Sequence, residues 1–286
     1  MKNAFAIAML SAATALPMFA QTAAPAFKTP RASPRQVLMQ TVGLTDVTLT
    51  YSRPGVKNRA VWGSLVPWDK VWRTGANEAT TIAVTDDVMI NGNALPKGTY
   101  SLHTIPGKDE WTLIFNKTAD QWGSYSYDAT KDALRVKVKP QPASMTEWMM
   151  FEVPDVSADK ATFQLRWEKV AVPFTVSVNT TEKVLADARA AVATAKADDW
   201  RTPMRAAQFA DEAGVAREDA AKWLDASIKT NENISNLYLK ARMQAKAGDR
   251  TGAIKTAEMA IAKGADKDKE LIEEIRKSIA GWKVTK

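Results

Sequence analysis

The chain has 286 residues, 45% of them apolar and 25% charged, which is the composition of a globular protein with material for two cores. Its 39 Lys and Arg and 32 Asp and Glu are spread along the sequence without a basic cluster, so no nucleic-acid binding is predicted. The lack of cysteine, the single histidine and the lack of a glycine-rich phosphate loop lead us to predict no metal and no cofactor.

The N-terminus has the pattern of a signal peptide. Lys2 precedes an apolar run that leads into Pro17-Met18-Phe19-Ala20, so residues 1–20 are predicted to be removed by cleavage after Ala20. Ala23 and Ala24 are the alternative cleavage positions. The alternative is an uncleaved anchor, but the run is shorter than the ~20 residues that span a bilayer. We expect an exported, soluble protein, periplasmic or secreted, with no membrane span after signal removal. Because the chain has no cysteine, it is not expected to be a lipoprotein.

Residues 21–34 carry Pro25, Pro30 and Pro34 and are predicted to form an extended leader. The following residues, 35–178, alternate apolar and polar side chains, as expected for strands with one buried face. The clearest strand candidates are 47–51, 81–85, 88–90, 100–105, 111–116, 134–138, 148–153, 163–167 and 170–176. Many short strands with no helices between them predict an all-β sandwich of the jelly-roll-like kind.

From residue 181 to residue 286 the apolar period becomes helical and proline almost disappears. A 34-residue offset aligns Ala207 with Ala241, Gly214 with Gly248, and Ala226 with Ala260. The segment 236–264 resembles the tetratricopeptide motif, so we predict six helices in three stacked pairs. The predicted fold class is therefore α+β in two separate domains, a sandwich followed by an all-α helical repeat.

The stretch from Tyr51 to Lys117, which includes Trp72-Arg73-Thr74-Gly75-Ala76-Asn77-Glu78, resembles the domain of unknown function 2911 family. The likeness covers about half of the chain and extends towards Val178. The resemblance implies an exported β-rich domain. It implies no established activity, so it transfers no catalytic residue.

Aromatic and polar residues are densest between Arg59 and Glu78, where tryptophan faces and hydrogen-bonding groups could together bind a glycan or a peptide. The alternative is that these tryptophans fill the end of the sandwich and that the charges pair to fasten a long loop. The candidate ligand-binding residues in this segment are Trp62, Trp68, Asp69, Trp72, Arg73, Asn77 and Glu78.

His103 completes the candidate site. Alternation places it on the strand face opposite Leu102 and Thr104, where it could act as a general base or be a surface or hydrogen-bonded strand residue. We therefore predict a periplasmic binding or scaffolding protein, with a ligand at the β domain and a protein partner at the concave face of the repeats. One alternative is an envelope glycan or peptide hydrolase that uses Glu78, Asp69, Arg73 or His103. Another is a purely structural protein in which the tryptophans serve a core and the repeats serve oligomerisation. For the helical region alone, the alternative to partner binding is an appendage that packs on the β domain and stabilises it.

Overall fold

The computed structural model describes residues 29–284. The predicted signal peptide and residues 21–28 of the predicted leader lie outside this range. Within it, a two-sheet β region is followed by helices, which confirms the predicted sandwich and helical regions. No helix in the described range combines the length and the apolar character that a membrane crossing requires.

Ten strands are described, and neighbouring strands in each sheet run antiparallel. One sheet has six strands in the order β1-β2-β3-β6-β7-β8, and the other has four in the order β5-β4-β10-β9. The strands are β1 (Arg35–Val42), β2 (Thr45–Ser52), β3 (Thr81–Val84), β4 (Val88–Ile90), β5 (Asn93–Leu95), β6 (Gly98–Ile105), β7 (Trp111–Asn116), β8 (Asp132–Val138), β9 (Gln141–Val156) and β10 (Lys160–Ser177).

The core lies between the two sheets, where the inward face of each strand is apolar. The hydroxyl of Tyr51 on β2 accepts a hydrogen bond of 2.9 Å from the backbone amide of Phe151 on β9, and the two rings meet edge to face. Because Tyr51 belongs to one sheet and Phe151 to the other, this contact ties the sheets together inside the core. The largest fully buried side chains are Trp111, Trp167, Tyr51, Phe115, Phe163, Leu49, Ile82, Ile90, Leu95, Leu102, Ile114 and Met149.

A long connection, residues 53–80, joins β2 to β3 and follows one edge of β6. Trp72 and Thr104 exchange two backbone hydrogen bonds of 2.8 and 2.9 Å, and the amide of Asp69 donates to the carbonyl of Pro106. The amide of Leu102 donates to the carbonyl of Thr80. The connection therefore takes the place of a neighbouring strand beyond the point where β3 ends.

The helical region has six helices in the described range. They are α1 (Thr180–Ala193), α2 (Arg201–Ala213), α3 (Arg217–Thr230), α4 (Ile234–Lys246), α5 (Arg250–Ala262) and α6 (Lys269–Val284). The most extensive packing is within the pairs α2/α3 and α4/α5, with α1 against α2 and α6 against α5.

The offset seen in the sequence has a structural basis in the first helix of each pair. Ala207 and Ala241 are fully buried, and Gly214 and Gly248 adopt positive φ values of 70° and 91° just beyond α2 and α4. In α3 and α5, the second helix of each pair, the residue matched by the 34-residue offset and the residue that is buried differ by one position. Ser227 is buried in α3, whereas Ala226, the sequence match of Ala260, is exposed.

The helical region joins the β domain directly, because only Val178 and Asn179 separate β10 from α1. The ammonium of Lys183 on α1 pairs with the carboxylate of Asp86, between β3 and β4, at 2.8 Å. Thr180 packs so closely on Gly43 that a Cβ at position 43 would lie 2.0 Å from its hydroxyl oxygen. The first turn of α1 is therefore fixed to the sandwich by one ion pair and one close contact.

Candidate functional site

The predicted tryptophans Trp62, Trp68 and Trp72 lie in one aromatic cluster with Trp111 and Trp167. Trp62 meets Trp111 at 4.9 Å and Trp167 at 5.6 Å, both edge to face, and it stacks on Trp68 at 6.4 Å between ring centroids. Trp72 stacks on Trp167 at 5.8 Å. Trp72, Trp111 and Trp167 are buried, so much of the aromatic surface in this segment contacts other tryptophans instead of solvent.

The turn that follows Trp72 has an unusual backbone. Thr74 is β-branched and buried yet has a φ of 55°, a conformation that such residues rarely adopt. The turn is held by a hydrogen bond of 3.1 Å from Trp72 Nε1 to the carbonyl of Gly75, and by one of 2.6 Å from Thr80 Oγ1 to the carbonyl of Thr74. Backbone strain of this kind, roughly 1–3 kcal/mol per residue, clusters at functional sites.

The strained turn presents Asn77 and Glu78 at the outer face of the six-stranded sheet. The carboxylate of Glu78 accepts two hydrogen bonds, of 2.7 and 2.8 Å, from the guanidinium of Arg31, and these bonds hold its pKa below the ordinary value. Asn77 Nδ2 donates to the carbonyl of Ser33, and the carbonyl of Asn77 accepts from the amide of Gly123. Residues 29–34 and the connection 117–131 thus meet on either side of the turn.

Next to Glu78, a cleft of about 340 Å³ opens on the outer face of the sheet. Three charged side chains line it, Arg35, Glu78 and Asp120, together with four hydroxyl-bearing residues of β2 and β3. The complete lining is Arg35, Thr50, Tyr51, Ser52, Glu78, Ala79, Thr81, Ala119, Asp120 and Gln121.

Gln121 is the most informative residue of the cleft, because it is only 9% exposed and its side chain is incompletely bonded. Its Nε2 donates to Ser101 Oγ at 3.1 Å and to the carbonyl of Thr118 at 2.8 Å, which fixes the amide. Its Oε1 is buried and has no hydrogen-bond partner among residues 29–284. Since buried acceptors are almost always paired, this oxygen is a candidate ligand contact.

His103 lies on the same outer face, beneath the connection 117–131. It is fully buried, and neither ring nitrogen has a hydrogen-bond partner within the described part of the chain. Burial lowers the pKa of His103, while the Gly123 backbone and the Asp132 carboxylate oppose that shift only in part. His103 lies on the strand face opposite Leu102 and Thr104, as predicted, and it is buried there and not at the surface.

The side chains that cover His103 form a closed network. The Tyr127 ring lies 5.2 Å from the imidazole, and its hydroxyl donates to Asp132 Oδ2 at 2.7 Å. Asp132 also accepts from Arg135 Nε at 2.7 Å and from Asn116 Nδ2 at 2.8 Å. Burial and the Asp132 carboxylate raise the pKa of Tyr127 to about 12. These four residues fasten the connection 117–131 to β7 and β8.

The structure divides the predicted site residues into three groups. Glu78 lines the outer-face cleft and Asn77 precedes it in the turn, His103 is buried beneath the connection 117–131, and Trp62, Trp68 and Trp72 belong to the aromatic cluster. The remaining two are dispersed. Asp69 is exposed beside Pro106, and Arg73 has a buried Nε without a partner among the described residues.

Glu78 is the one cleft residue that was predicted, and the others, among them Arg35, Asp120 and Gln121, were not. These three come from β1 and from the connection 117–131, so they approach Glu78 only through long-range packing. None of them stands in a motif, and no signal in the sequence could have identified them. No cluster of three or more potential metal ligands exists between residues 29 and 284.

A second concavity lies on the helical region, between α2, α4 and α6. It comprises two adjoining hollows of about 560 and 260 Å³ that share Tyr238, Arg242 and Glu274. The hydroxyl of Tyr238 bonds to Glu274 Oε1 at 3.0 Å and to Ser278 Oγ at 2.8 Å. We call this concavity the α2/α4/α6 groove.

The chain is a two-domain protein: a two-sheet sandwich, with a strained turn at its outer-face cleft, is followed by packed helix pairs. Residues 33–176, just over half of the chain, match the family described as "Protein of unknown function (DUF2911)". The chain therefore belongs to this family. No curated protein and no solved structure matches the chain.

Proposed function

We propose that this chain is an exported binding protein whose β domain takes a short peptide, with a free ammonium and a carboxylate, in the outer-face cleft. The observation that carries the proposal is that one cleft contains both the Glu78 carboxylate and the buried Gln121 Oε1, which has no hydrogen-bond partner among residues 29–284. The cleft volume of about 340 Å³ falls within the range of roughly 300–1,000 Å³ that is typical of small-molecule sites.

The charges of the cleft match the two ends of a peptide. Asp120 would attract an ammonium, and Glu78 would do so by exchanging its present partner, the guanidinium of Arg31, for that ammonium. The guanidinium of Arg35 would bind a carboxylate through two parallel hydrogen bonds. The Oε1 of Gln121 would accept a hydrogen bond from a peptide N–H. A site built in this way discriminates strongly, because a ligand that lacks the matching donor leaves a buried acceptor unpaired.

A peptide fits the cleft better than a glycan does. Sugar recognition uses apolar ring faces stacked on exposed aromatic side chains. No tryptophan lines the cleft, and the rings of Trp62 and Trp72 pack against other tryptophans. The glycan alternative is therefore tested beside the peptides and is expected to show no binding at the cleft.

Calorimetric titration with short peptides and short glycans tests the proposal. Glu78→Gln should weaken peptide binding at least tenfold, or about 1.4 kcal/mol, because the ammonium loses its charged partner. Glu110→Gln is the matched control, since the side chain of Glu110 is 47% exposed and that of Glu78 is 46% exposed, each in a surface ion pair. Equal affinities of the wild type and Glu78→Gln would refute the cleft site.

The hydrolase alternative is decided in the same samples by mass spectrometry of the recovered peptide. Binding alone leaves the peptide intact at every pH between about 4 and 9, where carboxylates and histidine titrate. Cleavage that disappears in Glu78→Gln but persists in Glu110→Gln would replace the binding function with a hydrolytic one.

The helical region is proposed to bind a protein partner in the α2/α4/α6 groove. Stacked helix pairs present such concave surfaces to extended or helical segments. Crosslinking in cells through lysine should therefore join a partner to Lys246, which lines the groove, and not to Lys229 on α3. A partner joined to Lys229 alone would place the interface elsewhere and favour a stabilising role for this groove.

Export is proposed from the N-terminal pattern, which lies outside the described residues. Cell fractionation followed by mass spectrometry should find a chain that begins at Gln21, the residue after the predicted cleavage position. A chain retained in the cytoplasm with Met1 present would exclude export.

A further inference from the structure

The first strand of the six-stranded sheet, β1, is an open edge. It pairs with β2 on one side only, and no backbone hydrogen bond from another described segment reaches residues 35–42 on the other side. Open edges of this length are normally blocked by charge, proline or a covering segment. Between Gln36 and Val42 the strand has neither a charged residue nor a proline.

The direction of the free backbone groups follows from the register with β2. Arg35 lies opposite Ser52, and the amide of Arg53 donates to the carbonyl of Pro34 at 2.9 Å. Because hydrogen-bonded pairs alternate along an antiparallel ladder, the even-numbered residues of β1 bond to β2. The N–H and C=O groups of the odd-numbered residues Arg35, Val37, Met39 and Thr41 therefore point away from the sheet, and of these the Thr41 carbonyl accepts a hydrogen bond from Gln40 Nε2.

The side chains along this edge are apolar and exposed. Val37 is 48% exposed and Met39 is 59% exposed, and both lie on the outer face of the sheet. A free ladder edge flanked by exposed apolar side chains is a template for another strand.

The sequence of the strand is complementary to itself. When Gln36-Val37-Leu38-Met39-Gln40 is set antiparallel to a second copy about Leu38, the glutamines face each other, Val37 faces Met39, and Leu38 faces Leu38. In this register Val37 and Met39, whose backbone groups are free, form the hydrogen-bonded pairs. The same surface on both copies is what a twofold-symmetric interface requires.

A buried polar atom supports the same register. Gln36 Oε1 is buried without a hydrogen-bond partner among the described residues. Gln40 Nε2 donates one hydrogen bond, of 2.9 Å, to the carbonyl of Thr41, and an amide nitrogen has a second hydrogen to donate. Across the twofold axis, the amide of Gln40 would face the unpaired oxygen of Gln36.

We infer that β1 is an interaction surface for a second copy of this chain, paired antiparallel about Leu38 so that the two six-stranded sheets become continuous. The association is independent of the peptide site proposed above. It uses the edge of the sheet, whereas the cleft uses its outer face.

The lack of cysteine makes the register directly testable, because an introduced cysteine can form a disulfide only with its copy in a second chain. Leu38 and its counterpart would form a non-hydrogen-bonded pair with Cα atoms roughly 4.5 Å apart, a separation that a disulfide accepts. Two copies of Val37 would lie roughly 7–8 Å apart, beyond ready bridging. Under mild oxidation, Leu38→Cys should give a covalent dimer and Val37→Cys should not.

Sedimentation of the full mature chain provides the second measurement. The wild type should show a concentration-dependent mass of two chains. Met39→Pro should be a monomer with an unchanged circular dichroism spectrum, because it removes an N–H that β2 does not use. Met39→Leu, which keeps the amide and the apolar surface, should remain a dimer.

Two results would overturn the inference. One is a monomeric wild type with no covalent dimer from cysteine at position 37, 38 or 39. The other is a dimer that persists in Met39→Pro without any crosslink at these positions, since the copies would then associate through another surface. Crosslinking of Val37→Cys in place of Leu38→Cys would reject the register.

Discussion

The imidazole of His103 faces the phenol ring of Tyr127 at 5.2 Å, and the Tyr127 hydroxyl is bonded to the carboxylate of Asp132. Asp132 Oδ1 accepts from Asn116 and Oδ2 accepts from Tyr127 and Arg135, and no hydrogen bond joins this carboxylate to the imidazole. Burial lowers the pKa of His103, so taking up a proton there works against the fold.

This relationship predicts a pH dependence of stability. Because the folded pKa of His103 is lowered, the unfolded chain binds more protons below its own pKa of about 6.5. The free energy of unfolding should hold above that pH and fall below it, by at most about 1.4 kcal/mol per pH unit, until the folded pKa is reached. Urea unfolding between pH 5 and 7 measures the slope.

The variant His103→Gln should lack this contribution, since the chain has no other histidine. Tyr127→Phe is the control, because it keeps the covering ring and leaves the histidine to titrate. If His103→Gln shows the same slope between pH 5 and 7 as the wild type, the buried imidazole is not its source.

The aromatic cluster predicts a large difference between two tryptophan substitutions. Trp167 is buried against Trp62 and Trp72, so Trp167→Ala should lower the free energy of unfolding by about 3–5 kcal/mol. Trp122 is exposed, and Trp122→Ala should change it by less than about 0.5 kcal/mol. Chemical unfolding of the two variants measures both values, and similar losses would contradict a packing role for the cluster.

The close contact between the β domain and α1 predicts that any side chain at position 43 lowers the stability of the protein. Gly43→Ala adds a Cβ beside Thr180 and strains a φ of 59°, whereas Gly92→Ala strains a φ of 80° in open space. Positive φ alone should cost about 1 kcal/mol in each variant. The additional loss in Gly43→Ala, measured by thermal unfolding, reports the contact with the helix.

A double substitution checks that assignment. Thr180→Ala removes the hydroxyl that the new Cβ would meet and should recover part of the stability lost in Gly43→Ala. Losses that simply add would mean that Thr180 is not the cause.

In the helical region, Asn236 is fully buried and serves three other residues. It donates to Ser227 Oγ and to the carbonyl of Asn231, and it accepts from the amide of Asn233. Asn236→Ala should lower the free energy of unfolding by about 1–3 kcal/mol, because it leaves buried groups unpaired. Gln208→Ala, which removes one exposed contact to Glu212, is the control and should have little effect in the same urea titration.

Most strands could be predicted because one face of each is buried, so that polarity alternates along the chain. Strand β10 shows where this reasoning fails. Its buried residues are odd-numbered as far as Trp167 and even-numbered from Val172, and the alternation changes phase at Glu168, whose φ is 54°. Because the alternation is interrupted at this bulge, the sequence predicts two strands, 163–167 and 170–176, where the structure has one.

Strand β1 escaped prediction for another reason. The residues Val37, Leu38 and Met39 are consecutive and apolar, and only Leu38 packs against the core. Edge strands with two weakly covered faces do not alternate. The candidate site was predicted only in part, because the cleft joins residues of β1, the turn at Glu78 and the connection 117–131, and packing alone brings these segments together.

The two-residue connection between β10 and α1 determines how a mechanical force on the helices would reach the β domain. With only Val178 and Asn179 between them, a pull on the helices would be delivered straight along β10. That strand lies between β4 and β9, and its ladder to β9 runs along most of its length. The hydrogen bonds between the two strands would then be loaded together in shear, so the sandwich should give way abruptly as one mechanical unit.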